Sequence, residues 1–253
     1  MTTHERPYLS LVIPAYNEAS RIAASLASVL EYLDAHAFTS ELIVVDDGSA
    51  DATVAEVRRS VAEHGTTKAR VELLSYRPNG GKGRAVRTGV LATHGRWVAF
   101  ADADLATPLS AIDQALPYVD SGEYQVVVGS RAASGARIDR YQPLYRRLSA
   151  RFFNAIRDRL VPVGVADSQC GFKLFDGDLA RAIFARQRVD GFMFDVETIY
   201  VARRLGARVL ELGVPWADAG QSKVRFSSGF RIVPDLLRIR AMHGALTPAD
   251  RPG

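Results

Sequence analysis

Short apolar runs alternate with segments of helical period along most of this chain. Leu9–Pro14 reads as a first strand, and Ile22, Leu26, Val29, Leu30 and Leu33 then fall on one helical face. Glu41–Val45 predicts a second strand, followed by a helix carrying Val54, Val57 and Val61. Val71–Ser75 predicts a third, followed by a glycine-rich loop and a helix from about Arg84 to Thr93. Arg96–Ala101 and Gln125–Gly129 read as the fourth and fifth strands. After an arginine-rich helix, Asp195–Leu205 reads as a helix and Ala207–Val214 as a late strand. This order predicts an α/β fold with a mostly parallel sheet and crossover helices. No repeat or low-complexity linker divides the chain. Residues 1–226 are therefore expected to form one domain, and 227–253 a C-terminal amphipathic helix and tail.

In open sheets of this kind, ligands bind outside the carboxyl ends of the strands. Four polar clusters fall at those ends: Pro14-Ala15-Tyr16-Asn17-Glu18, Asp46-Asp47-Gly48-Ser49, Asn79-Gly80-Gly81-Lys82-Gly83 and Asp102-Ala103-Asp104. Turn and capping chemistry explains any one of them, but is strained to explain all four. The last is the most pointed. An extended Asp-x-Asp turns both carboxylates to one side, where they repel unless a cation sits between them. Other nucleotide motifs do not match. Gly81-x-Gly83 follows the third strand and not the first, and Gly83 stands after Lys82 where a P-loop needs Ser or Thr. No Cys/His cluster offers a zinc site.

Composition narrows the class further. The 253 residues are 47% hydrophobic, enough for a substantial core. Cys170 is the single cysteine, which excludes an intrachain disulfide and fits a reducing compartment. The start, MTTHERPYLS, lacks the basic and apolar regions of a signal peptide, and no run approaches the roughly 18 apolar residues of a membrane span. The net charge of +4 is uneven: residues 131–159 are net +6 and the remainder net −2. Such a stripe suits phosphorylated ligands or anionic lipid, or is simply a solvated helix face. The absence of aromatic stacking motifs argues against nucleic acid.

The segments "LVIPAYNEASRI", "VVDDGSADAT", "NGGKGRAVRTGV", "FADADLATP" and "VVGSR" resemble, in order and spacing, the successive motifs of glycosyltransferase family 2. The later "DSQCGFKLF", "FMFDVETIYVARRLG" and "VPWADAGQSKVR" resemble its dolichyl-phosphate β-glucosyltransferases and bacterial polyprenyl-phosphate sugar synthases. The resemblance runs from about Leu9 to Arg225 and implies the Rossmann-like GT-A fold. It also implies a DXD motif, Asp102-Ala103-Asp104, holding Mg²⁺ or Mn²⁺ against a nucleotide diphosphate. Pro14, Ala15, Tyr16, Glu18, Asp46, Asp47, Lys82 and Gly83 would line the donor site, with Ser222 and Lys223 closing over it. Arg131, Ser168, Gln169, Lys173 and Arg225 would receive the acceptor phosphate.

The implied reaction is inverting transfer of a hexose from a UDP-sugar to a polyprenyl or dolichyl phosphate, with glucose the first choice. Ala106 stands where mannosyl synthases often carry Gln, which weakens a GDP-mannose reading; UDP-N-acetylgalactosamine stays open. A prenyl phosphate has a second pKa near 6 and arrives anionic, so it needs a cationic seat and no base. With a soluble acceptor a carboxylate base is required, and Asp195 is the candidate. Asp195 and Glu197 read either as a pair orienting the cations or as helix N-terminal acids. Lys173 has a simpler alternative partner in Asp176. Two basic amphipathic helices, 143–160 and 228–243, are expected at a membrane surface. They carry the apolar stripes Tyr145-Leu148-Phe152-Ile156 and Phe226-Phe230-Val233-Leu237, and packing of these into the core is the competing reading. The protein is thus expected as a peripheral enzyme of the cytoplasmic membrane face, with homodimerisation open.

Overall fold

The computed structural model describes residues 6–64, 67–138, 144–216 and 232–251. The first half runs β1 (Leu9–Ala15), α1 (Ile22–Ala35), β2 (Ser40–Asp46), α2 (Thr53–His64), β3 (Arg70–Ser75), α3 (Lys82–Ala92) and β4 (Trp97–Phe100). The second runs α4 (Ser110–Asp120), β5 (Val126–Ser130), β6 (Arg137–Ile138), α5 (Leu144–Leu160), β7 (Lys173–Asp176), α6 (Gly177–Arg186), α7 (Phe194–Arg204), β8 (Val209–Gly213), β9 (Pro215–Trp216) and α8 (Ile232–His243). The predicted strands and helices are present, most with ends shifted by one or two residues.

The seven-stranded sheet has the order β3-β2-β1-β4-β7-β5-β8, and only β7 runs against the others. Every residue of β1 and β2 is buried, because helices cover both faces of the sheet. Alternate positions of β1 feed different layers. Leu11 and Ile13 meet α1, α2 and α4, with Ile22, Leu26, Val29, Leu30 and Leu33 buried as their spacing predicts. Val12 faces the opposite layer, which holds α3, α6, α7 and α8.

The chain leaves β1 toward β2 and β3, then crosses back to lay β4 on the other side of β1. This reversal opens a crevice at the carboxyl ends of β1 and β4. The segments that follow those two strands are the ones that carry Tyr16-Asn17-Glu18 and Asp102-Ala103-Asp104.

Four expectations change. β7 was not anticipated, because its first residue is a lysine and four residues carry too little period to show. Second, Asp102-Ala103-Asp104 is not an extended strand end. β4 stops at Phe100, the Leu105 N–H donates to the Asp102 carbonyl at 3.0 Å, and Leu105 takes φ +48°, so the acids sit in a turn. Third, Arg157 is not a flanking surface charge of the arginine-rich helix. It is 1% exposed, donating to Ser168 Oγ at 3.1 Å and to the Val165 carbonyl at 2.6 Å. Fourth, α8 is docked on the body, with Leu236 and Ile239 fully buried in the core. The two stripes divide accordingly: Ile156 packs on the core, whereas Phe152, Val233 and Leu237 are exposed. Phe226 and Phe230 lie outside the described residues, as do the side chains of Tyr145 and Leu148.

Candidate active site

The strand ends assemble the candidate residues from four directions. The β1–α1 turn is held by Asn17, whose N–H donates to Ser49 Oγ at 2.9 Å and whose Oδ1 accepts the Ala50 N–H at 2.9 Å. Asn17 has φ +53°, a conformation Asn tolerates better than most side chains. Pro14 and Ala15 are buried in β1, Tyr16 is 42% exposed beside them, and Glu18 pairs with Arg21.

Asp46 and Asp47 have different duties. Asp46 is 1% exposed and accepts from the Ser49 N–H at 3.1 Å and Ser75 Oγ at 2.8 Å. Asp47 organises the glycine-rich loop. Its Oδ1 accepts from Tyr76 Oη at 2.8 Å and Gly80 N–H at 2.7 Å, its Oδ2 from Asn79 Nδ2 at 2.8 Å and Gly81 N–H at 2.9 Å. That loop delivers Lys82 to the start of α3, where Nζ lies 2.5 Å from Asp102 Oδ1. Burial opposes the lysine charge, but Asp102, Asp195 and Asp104 outweigh it and hold its pKa above the ordinary value. Gly83 follows Lys82 in the first turn of α3 and is buried.

Asp104 has a lighter load: its Oδ1 accepts the Ala106 N–H at 3.1 Å. Ala103 between the acids is buried. Among the described residues no set of three His, Cys, Asp or Glu side chains converges here or elsewhere. The donor set that the described residues offer is two carboxylates in one turn. That suits a hard divalent cation completing its shell with diphosphate and water oxygens, and does not suit zinc. Gly171 matters for the same reason, since a Cβ there would stand 2.2 Å from Asp102 Oδ2.

On the far side, β7 places Lys173 opposite Phe100 and Val128, at the end of β4 just before the acids. Lys173 is 0% exposed, with Nζ 2.5 Å from Asp195 Oδ1 and donating to the Cys170 carbonyl at 3.0 Å. The sequence reading expects it at the acceptor phosphate; in this structure its charge is met by Asp195. Its partner is not Asp176, which caps α6 by accepting the Leu179 N–H at 2.9 Å. Burial pushes the Asp195 carboxyl up, against the pull of Lys173 and Lys82. Asp195 is thus the acid bonded to Lys173, whereas Glu197 bonds to residues 188, 189 and 243.

Arg131 is seated by a residue that sequence reasoning left unassigned. Asp167 takes Arg131 Nε at 2.6 Å and Nη2 at 2.9 Å, a bidentate fork, and its Oδ2 also accepts the Arg131 N–H at 3.0 Å. The guanidinium is 5.5 Å from the Trp216 ring centroid and 29% exposed. Ser168 is buried under Arg157, and Gln169 is exposed. Asp167 opens the quoted DSQCGFK motif, so its position was visible while its partner was not. Arg21 was also missed; it lies within electrostatic reach of Asp104 and Asp102. Ser222, Lys223 and Arg225 lie outside the described residues.

The Arg131–Asp167 fork makes stability pH-dependent. Burial raises the Asp167 pKa, but the bonds to Arg131 prevail and hold it below the ordinary 3.8. Its stabilisation is therefore complete above that value and is lost as pH falls through the lower folded pKa. Asp167→Asn is expected to be less stable than the parent at pH 6, with the gap closing toward pH 2 in urea titrations. A gap that stays constant over that range would refute the linkage.

A family model for glycosyl transferase family 2 matches residues 10–184. The chain is 32% identical to the dolichyl-phosphate beta-glucosyltransferase of Dictyostelium discoideum, over 92% of this chain and 74% of that one. It is 36% identical to the enzyme of that name from Drosophila melanogaster, over 91% and 74%, and 33% to that of Homo sapiens, over 94% and 76%. Among solved structures, glucosyl-3-phosphoglycerate synthase from Mycobacterium tuberculosis superposes with a TM-score of 0.64 at 20% identity, covering 94% of this chain and 81% of that one. The same protein crystallised with Mn²⁺, UDP-glucose and phosphoglyceric acid gives 0.65. At that identity the likeness establishes the GT-A-like fold alone. By the family model over most of its length and by these relatives, the chain belongs to glycosyltransferase family 2, to its dolichyl-phosphate β-glucosyltransferase-like group, and is a glycosyltransferase.

Proposed function

We propose that this enzyme transfers glucose from UDP-glucose to a polyprenyl or dolichyl phosphate with inversion, releasing UDP. An acceptor phosphate oxygen attacks the anomeric carbon as the bond from that carbon to the UDP oxygen breaks. The relatives named above act, by their names, on dolichyl phosphate and a glucosyl group. One observation carries the choice of acceptor. Asp195, the carboxylate a protein-base mechanism would need, is 2% exposed and tied to Lys173. That favours a nucleophile that arrives already ionised.

In this reading Asp102 and Asp104 hold Mg²⁺ or Mn²⁺, which when bound neutralises charge growing on the departing diphosphate. Lys82 adds a second positive charge beside Asp102. Asp46 and Tyr16 contact the nucleoside, and Asp47 shapes the loop that carries Lys82. Arg131 receives the acceptor phosphate, pre-oriented by Asp167. The lipid would be met by the exposed Phe152 of α5 and Val233 and Leu237 of α8, two helices that touch each other. No helix among the described residues is long and apolar enough to cross a membrane; the proposed contact is that of helices lying in the headgroup layer.

The test is incubation with labelled UDP-glucose, a prenyl phosphate and Mn²⁺, with separation of lipid products. Arg131→Ala is expected to lose about tenfold to a thousandfold in transfer while UDP affinity stays near the parent's. Arg131→Lys should recover only part, because a point charge does not reproduce a bidentate fork. The parent rate should fall below pH of about 6 as the acceptor protonates. Unchanged lipid transfer in Arg131→Ala, or a loss confined to donor binding, would sink the acceptor assignment.

A further inference from the structure

Glu197 is fully buried yet stands outside the set of charges just described. Its Oε1 accepts from the Arg188 N–H at 2.9 Å and its Oε2 from the Val189 N–H at 2.8 Å. His243 of α8, 6% exposed, lies with Nε2 at 2.7 Å from Oε1. A carboxylate only accepts, so the imidazole donates through Nε2. Three donors thus converge on one carboxylate, which ties α8 and the 188–190 loop to α7.

That loop reaches the donor site directly. The first N–H groups of a helix have no partner within it. Helix α3 begins at Lys82, and its N-cap residue, Gly81, supplies no side-chain hydrogen bond. The Asp190 carbonyl takes that place, accepting the Gly83 N–H at 2.7 Å, while Arg87 pairs with Asp190 Oδ1 at 2.7 Å. The packing leaves no slack. A Cβ on Gly83 would stand 2.5 Å from the Val189 carbonyl and 2.7 Å from Phe194 Cβ.

We propose that Glu197, braced by His243, is a positioning residue of the donor site. It fixes the 188–190 loop that caps α3 and so sets where Lys82 stands beside Asp102. The proposal rests on the reading of Lys82 and Asp102 as donor-site residues. It joins the C-terminal helix, carrying Val233 and Leu237, to the diphosphate end of the site through a single carboxylate.

The full chain tests this by two readouts. Glu197→Gln keeps the volume but turns an amide N–H toward one of the three donors. Hydrogen exchange at the Gly83 amide should speed up about tenfold or more relative to core amides of β1 and β2. UDP affinity in the presence of Mn²⁺ should fall about ten- to a hundredfold, and with UDP-glucose KM should change more than kcat. His243→Leu should move both readouts the same way, and His243→Gln, which can still donate to Glu197, should restore them. Gly83→Ala strikes the same contact from the other side, so its effect on UDP affinity should be less than additive with that of Glu197→Gln. Lower global stability with unchanged Gly83 exchange or unchanged UDP affinity would overturn the proposal. A parent protein that does not bind UDP would instead overturn the donor reading, and Gly83 exchange would still decide the coupling.

Discussion

Asp104→Asn is expected to lower glucosyl transfer about a hundred- to a thousandfold while leaving the fold intact. Among the described residues Asp104 makes one bond, from the Ala106 N–H to Oδ1, and an Asn carbonyl oxygen can accept the same bond. What the substitution removes is a negative charge and a strong oxygen donor for a divalent cation. Asp102 is a poorer choice for this test, because its carboxylate also balances Lys82 and packs against Gly171. The loss should therefore appear in metal-dependent steps only. UDP binding measured by calorimetry should weaken in Mn²⁺ and stay near the parent's in chelator, with thermal unfolding unchanged. Full transfer by the Asn variant would remove the metal assignment.

Lys173→Met is expected to cost about 3–5 kcal/mol of stability, the usual penalty for leaving a buried charge without its partner. Lys173 and Asp195 are 0% and 2% exposed, and among the described residues Lys173 is the cation bonded to Asp195, with Lys82 acting on it electrostatically from farther away. Removing the lysine strands the carboxylate between β7 and α7. The double variant Lys173→Met/Asp195→Leu should regain most of that stability, since replacing both members by apolar groups is often neutral. Urea titrations of the parent, both single variants and the double variant give the coupling directly. A single-variant loss under about 1 kcal/mol would show that the pair is not sealed from water. The double variant also separates support from contact. If it folds like the parent and still transfers glucose to lipid, Lys173 serves only to hold β7 in place.

Taken by itself, the sequence determined the layering of this protein and which strand ends carry its candidate residues. Parallel strands covered on both faces are continuous apolar runs, and amphipathic helices carry a 3.6-residue stripe. Both are local patterns, so β1, β2, α1 and the turns after each strand were legible without a structure. The ordered motifs singled out Asp46, Lys82, Asp102, Asp104 and Arg131 as candidates in the same way. The pairing of charges was a different matter, because it depends on which distant elements become neighbours. The β7 insertion buries Lys173 beside the last residue of β4, and α7 supplies Asp195 across 22 residues of chain. Arg131 meets Asp167 across 36 residues. Whether Arg157 faces water or Ser168 depends on how its helix docks, and its spacing in the stripe carries no trace of that. Glu197 illustrates the limit most clearly. At the start of a helix an acid always suits the dipole, and only the fold shows that this one is spent on two amides and a histidine from another helix.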